Sequence, residues 1–510
     1  MASWTSCREA KVLESLVLGF STALTVANLG YAAAGVLFGT LVGVLPGLGP
    51  VATIAMLLPF TYALEPASAV IMLAGIYYGA QYGGSTTAIL LNLPGEASAV
   101  VTCLDGHRLA RAGRAATALS TAAVASFLGG TLATAALAFF APLLAEAAFM
   151  LGPADYCALM ILGLTGAMVL AQGSLLRAFA MTLAGLLAGL VGTDLQTGAL
   201  RYTFGSLSLQ EGLDFAVLSM GIYGVADIIV NVAHPEGRGN VAPRAGSLWP
   251  RRKELRPVTG AALRGTVLGT VLGALPGGGA LLSAFASYTL EKKFPKGASE
   301  VPVGEGNLRG VAGPEAANNA GAQTSFIPLL TLGIPPNAVM AMMAGALMLH
   351  DMAPGPAFLT DHPDLFWGLV ASMWIGNVLL LFLNLPLAGL WASLLRIPYR
   401  LLFPAILLFC AAGVLSLSLE ACDVLTLAVF GLIGLFFAKT GCEGAPFLLG
   451  FLLGPLFEEH LRRALLLSHG DFTVFLTSPA SAAALAATLA LLAALLGPNV
   501  RRRREEAFGE

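Results

Sequence analysis

The chain has 510 residues, 57% hydrophobic and 11% charged, with a net charge of -2. Soluble domains carry roughly 25% charged residues, so this composition, with a mean hydropathy of +0.80, excludes an ordinary soluble protein. The near-neutral charge gives no sign of nucleic acid, and six scattered cysteines form neither a metal-ligand nor a disulfide pattern. Apolar runs recur along the whole length, which predicts an all-α polytopic membrane protein with about 10–14 helical passes, partial ones included, rather than a barrel.

A mixed-charge head (Arg8, Glu9, Lys11, Glu14) without the marks of a cleavable signal precedes an apolar run from Leu16 to Leu45. That run breaks at Gly43-Val44-Leu45-Pro46-Gly47-Leu48-Gly49-Pro50. Pro50–Tyr62 is apolar but short, as a re-entrant limb would be. Ala67–Leu93 ends in an unusual passage, Gly79 to Thr87, followed by Asn92-Leu93-Pro94-Gly95-Glu96. Asp105–Arg114 reads as a polar loop carrying His107, Arg108, Arg111 and Arg114. Four apolar runs follow, near 115–147, 153–172, 175–198 and 214–233, and then the arginine-rich segment His234–Pro257.

The break is then repeated as Gly273-Ala274-Leu275-Pro276-Gly277-Gly278-Gly279-Ala280, 230 positions on. Gly321-Ala322-Gln323 echoes Gly79-Ala80-Gln81, and Gly333-Ile334-Pro335-Pro336-Asn337 echoes the Asn92–Glu96 passage. Gly49 to Gly79 spans 30 positions and Gly279 to Gly321 spans 42, so the second half holds an insertion, naturally placed at 291–305. The expected organisation is repeat half one at 15–114, intervening helices at 115–233, a basic loop at 234–257, repeat half two at 258–350, C-terminal helices at 351–500 and a charged tail at 501–510. Loops 105–114 and 234–257 are rich in arginine, whereas His350–Asp364 holds Asp351, Asp361 and Asp364 with no Lys or Arg. Corresponding loops of opposite sign favour repeats of inverted topology. Arg501–Arg504 closes the chain on the positive, cytoplasmic side; Arg462 and Arg463 run against the scheme.

Backbone broken at membrane depth is tolerated where it is buried in protein or lines a watery cavity. Paired breaks in two halves point to a transporter binding site. The breaks at Pro46, Pro94, Pro276 and Pro335 would free N–H groups and carbonyls for a carboxylate or a cation. The candidate ligand-binding positions in half one are Gly47, Gly49, Gln81, Gly83, Gly84, Ser85, Thr86 and Asn92. In half two they are Gly277, Gly278, Gly279, Asn318, Asn319, Gln323, Thr324 and Asn337. The competing reading is that the glycines only let helices pack closely.

Arginine is absent from both repeated cores, so an anion there would depend on helix ends and neutral donors. Glu96 and Glu315 beside the motifs and Asp227 inside Phe215–Val232 are candidates for a coupling cation. Asp194 and Asp214 read as helix-terminal, and His107 and His350 as solvated loop residues. No P-loop, His-Glu-x-x-His or dinucleotide fingerprint is present, and Ser85 has no intramembrane histidine partner. The expectation is a non-enzyme with no catalytic residues, no metal site and no cofactor.

The Gly43–Pro50 break, Tyr78-Gly79-Ala80-Gln81-Tyr82-Gly83-Gly84-Ser85 and Asn92–Glu96 resemble the large membrane subunit of tripartite tricarboxylate transporters, the TctA family. Gly313-Pro314-Glu315-Ala316-Ala317-Asn318-Asn319-Ala320, Gly333-Ile334-Pro335 and Asn384-Leu385-Pro386-Leu387 extend the resemblance over nearly the whole chain. It implies a permease of the bacterial inner membrane, working with a small TctB-like membrane subunit and a periplasmic TctC-like solute-binding protein. It further implies uptake of citrate-like carboxylates driven by a gradient of Na+ or H+. Asp227 stands where the family is expected to carry glutamate. A rival from another class is a membrane scaffold with no substrate path of its own. Monomer and homodimer are both left open.

Overall fold

A computed structural model describes residues 2–45, 49–92, 94–170, 174–194, 197–226, 229–230, 248–275, 279–294, 301–394, 404, 407–408, 410–415 and 421–496. The first half runs α1 (Ala2–Ala23), α2 (Val26–Val44), α3 (Pro50–Thr61), α4 (Pro66–Leu91), α5 (Val100–Leu109) and α6 (Ala115–Ala148). Then come α7 (Pro153–Leu170), α8 (Leu175–Gly189), a short antiparallel hairpin of β1 (Gly192–Thr193) and β2 (Leu200–Arg201), and α9 (Phe215–Val225). The second half holds α10 (Arg252–Gly273), α11 (Ala280–Lys293), α12 (Arg309–Thr324), α13 (Phe326–Leu332), α14 (Ala338–Leu349) and α15 (Pro363–Leu394). The described C-terminal helices are α16 (Ala421–Thr440), α17 (Gly444–Leu467) and α18 (Pro479–Leu496). Among the described residues, four helices are long and apolar enough to cross a membrane, and six shorter apolar helices accompany them. The chain is therefore an all-α, multi-pass membrane protein.

The two repeats are built on backbone-to-backbone contact. On α2, a Cβ added at Gly35, Gly39 or Gly43 would lie 2.3, 2.4 or 2.3 Å from the carbonyl oxygens of Met72, Ile76 and Ala80 on α4. On α10, a Cβ added at Gly265, Gly269 or Gly273 would lie 2.1, 2.3 or 2.4 Å from the carbonyl oxygens of Gly313, Ala317 and Gly321 on α12. Only glycine allows this approach, and lipid offers no hydrophobic drive of its own, so close packing holds each helix pair together. The glycines repeat at an offset of 230, but their partners, Met72 to Gly313, repeat at 241. The register therefore corrects the pairing expected from the Gly-Ala-Gln triplets. Ala80 corresponds to Gly321, and Gln323 to Tyr82 rather than to Gln81.

The unusual passage Gly79–Thr87 lies inside α4, which is continuous from Pro66 to Leu91, so its backbone groups are spent on the helix itself. Likewise Asp105–Arg114 is not a loop. Asp105 and His107 lie on α5, which continues through a wide turn (Ala110–Arg114) into α6. Asp105 is fully buried and accepts hydrogen bonds from the backbone N–H groups of Gly304, Gly306 (2.8 Å) and Asn307 (2.7 Å), and from Tyr288 Oη (3.1 Å). His107 Nδ1 lies 3.2 Å from the carbonyl of Ile89.

The halves clasp each other reciprocally. The far end of α11 meets α5 through Tyr288 and Asp105. The far end of α3 meets α14, where the rings of Tyr62 and His350 lie 6.1 Å apart. In the same manner α6 packs on α12, and α15 on α4. The insertion in the second half is fastened by Glu291, which is buried and held by Arg264 (2.7 Å) and Arg309 (2.8 Å). Arg462 and Arg463, which run against the charge pattern, are neutralised locally: Arg462 by Asp194 and Glu458, Arg463 by Glu459. Asp214 caps α9 through Val217 N (2.9 Å).

Candidate functional site

The polar centre lies where α4, α5, α6 and α12 meet. Pro50 and Pro66 open their helices at positions where a missing N–H costs nothing. α4 ends on Asn92 in the left-handed region (φ 60°), which turns the chain back so that Glu96 and Ser98 come alongside Gln81. Gly95 sits against the carbonyl of Gly43 and the Cα of Gly84, with no space for a side chain.

Glu315, fully buried on α12, accepts a hydrogen bond from Ser85 Oγ at 2.6 Å. Thr102 Oγ1 donates to its other carboxylate oxygen, and Ser126 Oγ and Asn318 Nδ2 approach to 3.3 and 3.5 Å. Glu96, half-buried, accepts from Gln81 Nε2 at 2.9 Å and touches Ser98 Oγ. Ser98 also reaches Gln81 Oε1 (2.8 Å) and receives Asn318 Nδ2 at 3.3 Å. Glu96 of one half and Glu315 of the other are thus joined through Ser98 and Asn318. Every donor named here is a hydroxyl or an amide.

Neutral donors soften the cost of burying a carboxylate but do not cancel its charge. Among the described residues no cationic side chain pairs with either acid, so a proton or a bound cation would have to supply the remaining balance. Two acids in one network would share such a charge rather than act as independent sites.

The equivalent place in half two is chemically different. Asn337 Oδ1 caps α14 by accepting from Met340 N (3.1 Å), and its Nδ2 donates to Ser325 Oγ (3.2 Å). Gly279 has φ +97°, and a Cβ there would meet Asn337 Nδ2 at 2.8 Å. Tyr77 of half one faces Ser325 and Asn337, as Asn318 of half two faces Ser98. The side chains of this second cluster are themselves neutral, with Glu96 of half one near enough to Tyr77 to act on it electrostatically.

Of the residues singled out from sequence, Gln81, Ser85, Glu96, Glu315 and Asn318 come together in one network. Asn319 borders it, donating to Asn318 Oδ1 (2.7 Å) and to the Glu315 carbonyl. Gly84 abuts Glu96, while Gly83 abuts the Thr40 carbonyl and serves the contact of α4 with α2. Thr324 does the same on α12, pressed on Gly273. Thr86 lines a small cavity beside Ser85. Gln323 is buried with both amide atoms unpartnered among the described residues. Asn92 is exposed and acts as a helix terminator. Gly49 and Gly279 cap α3 and α11 without side-chain hydrogen bonds. Pro94 and Pro335 follow the left-handed turns at Asn92 and Gly333. Pro46, Gly47, Pro276, Gly277, Gly278 and Asp227 lie outside the described residues. Ser98, Thr102 and Ser126 join the network without having been marked by the motifs. Glu96-x-Ser98-x-x-x-Thr102 carries the only local signal, polar residues heading a short helix.

A polytopic helical bundle with two duplicated halves meeting at a buried acidic network has the form of a membrane transport protein. The comparisons agree. The chain matches the tripartite tricarboxylate transporter TctA family over residues 29–449. It belongs to that family, and is a component of a tripartite tricarboxylate transporter. It is 53% identical, over 98% of its length and 99% of the relative's, to an uncharacterized 52.8 kDa protein of Agrobacterium vitis from the TAR-I ttuC' 3' region. A second Agrobacterium vitis protein, from the TAR-II ttuC' 3' region, is 54% identical over 48% of this chain and 99% of its own length. No solved structure matches the chain.

Proposed function

We propose that the chain is the permease of a secondary transporter that imports citrate-like or related carboxylates across the bacterial inner membrane, driven by a gradient of Na+ or H+. A periplasmic solute-binding protein delivers the substrate, and a small membrane subunit completes the assembly. The observation that carries the reading is the network joining Glu96 to Glu315 across the two halves with neutral donors only. An external positive charge completes such a site, and its position between the halves lets binding report on how they are arranged.

The ends of the halves support inverted repeats. The arginine-bearing ends of α5 and α6 meet α11 and the loop before α12, and this face would be cytoplasmic. The Tyr62–His350 contact would then mark the outer face, and the C-terminal tail would lie inside. Substrate carboxylates would lodge against the neutral cluster of Gly279, Ser325, Asn337 and Tyr77. Rocking of the halves would expose them inward. Asp227 is kept as a further candidate for the coupling ion on sequence grounds alone.

The test is uptake of labelled citrate into proteoliposomes holding the chain and its two partners. Accumulation is expected under an inward Na+ or H+ gradient and not without one. Gradient-independent equilibration, or no movement of any of a panel of carboxylates, would overturn the reading.

A further inference from the structure

A cavity of about 10 Å³ lies between α4, α6 and α15, with its polar lining supplied by Tyr82, Ser85, Thr86, Ser126 and Asn384. That size suits a single water-sized occupant. Two of its lining atoms, Tyr82 Oη and Asn384 Oδ1, are unpartnered among the described residues, on side chains only 3% and 7% exposed. A buried polar atom without a protein partner calls for a water or an ion beside it.

The polarity of the lining narrows what that is. Asn384 Nδ2 donates to the carbonyl of Leu380 at 3.0 Å, while its oxygen has no partner among the described residues. Ser85 directs its hydroxyl to Glu315 Oε2 at 2.6 Å, and Ser126 Oγ lies 3.3 Å from both that oxygen and the Glu315 carbonyl, so the lone pairs of both remain for the cavity. Tyr82 and Thr86 add two more oxygens. Three hydroxyls, a phenol oxygen and an amide oxygen, one hydroxyl away from a buried carboxylate, suit a hard cation better than an anion. Asn384 belongs to Asn384-Leu385-Pro386-Leu387, a motif with no role in the carboxylate network.

We propose that this cavity binds one desolvated monovalent cation of sodium's size, balanced by Glu315 through Ser85 and Ser126. The inference rests on the transporter reading and gives the coupling ion a location. It also makes α15, outside both repeated motifs, part of the ion site.

Purified chain in lipid nanodiscs is titrated with NaCl against choline chloride at constant ionic strength, with thermal unfolding as the readout. Sodium is expected to raise the midpoint saturably, because a ligand that binds only the folded state stabilises it. In the double variant Tyr82→Phe/Asn384→Leu the half-saturating sodium should rise at least tenfold, with the midpoint in choline unchanged. If Asn384→Leu fails to fold, Tyr82→Phe/Thr86→Val takes its place. An unaltered sodium response in a folded variant overturns the proposal. So does a wild type that answers to pH and not to sodium, since the cavity would then hold water on a proton path. Uptake assays separate this from the broader reading. Citrate uptake with unchanged sodium dependence in the variants sinks the cation site alone; sodium binding by a wild type that moves no carboxylate sinks the transporter alone.

Discussion

Glu96 and Asn337 occupy the same place in two copies of one backbone. Each stands four residues after a left-handed helix end, Asn92 at φ 60° and Gly333 at φ 71°. Their own dihedrals nearly coincide: φ -144°, ψ 165° for Glu96 and φ -154°, ψ 173° for Asn337. Yet Glu96 extends its side chain to Gln81 and Ser98, whereas Asn337 folds back to cap its helix. One half carries acid and the other neutral donors. Duplication preserved the geometry that glycine and proline dictate, and left the chemistry of the side chains free to diverge.

The sharpest way to break this contrast is to remove the acid. Glu315→Leu is expected to lower uptake by about 100-fold, the scale of some 2–3 kcal/mol of lost ion binding, with the protein still inserted. Unchanged ion dependence in Glu315→Gln would mean that the acidic half has no special role. Next in size, Gly39→Val and Gly269→Val force a side chain into a carbonyl, and each should cost about 3 kcal/mol by overpacking. Thermal unfolding of the two variants should give similar losses; a large loss in one alone would show that the halves do not pack equivalently. Exchanging chemistry is milder. Glu96→Asn should weaken ion-stimulated uptake by roughly tenfold, about 1.4 kcal/mol, and transport that is indifferent to it would detach Glu96 from the ion. The smallest effect belongs to Asn92→Gly, within about 0.5 kcal/mol, since both residues accept the left-handed turn.

The breaks and most of the acidic network are legible in the sequence because Gly-Pro clusters and isolated carboxylates are costly inside apolar runs and stand out there. The register is not. Two Gly-Ala-Gln triplets suggest one alignment, but what fixes the alignment is which residue tolerates a carbonyl at van der Waals distance, and that pairs Ala80 with Gly321. Asp105 is hidden for a related reason. Its partners are backbone N–H groups 199 to 202 positions away, at Gly304, Gly306 and Asn307, so nothing local reveals that an acidic residue is buried on a helix. The cavity residues Tyr82 and Asn384 converge only after folding, from helices far apart in the chain.

The contact of α2 with α4, and of α10 with α12, is made by glycines on one side and carbonyls on the other. Such a contact immobilises few side-chain rotamers, so its formation carries little of the entropy cost that burdens ordinary helix packing. Its partners are also near neighbours in the chain, which favours early pairing. Each half can therefore assemble soon after it enters the bilayer and before the other half arrives. The buried acids, whose partners come from both halves, would be completed last.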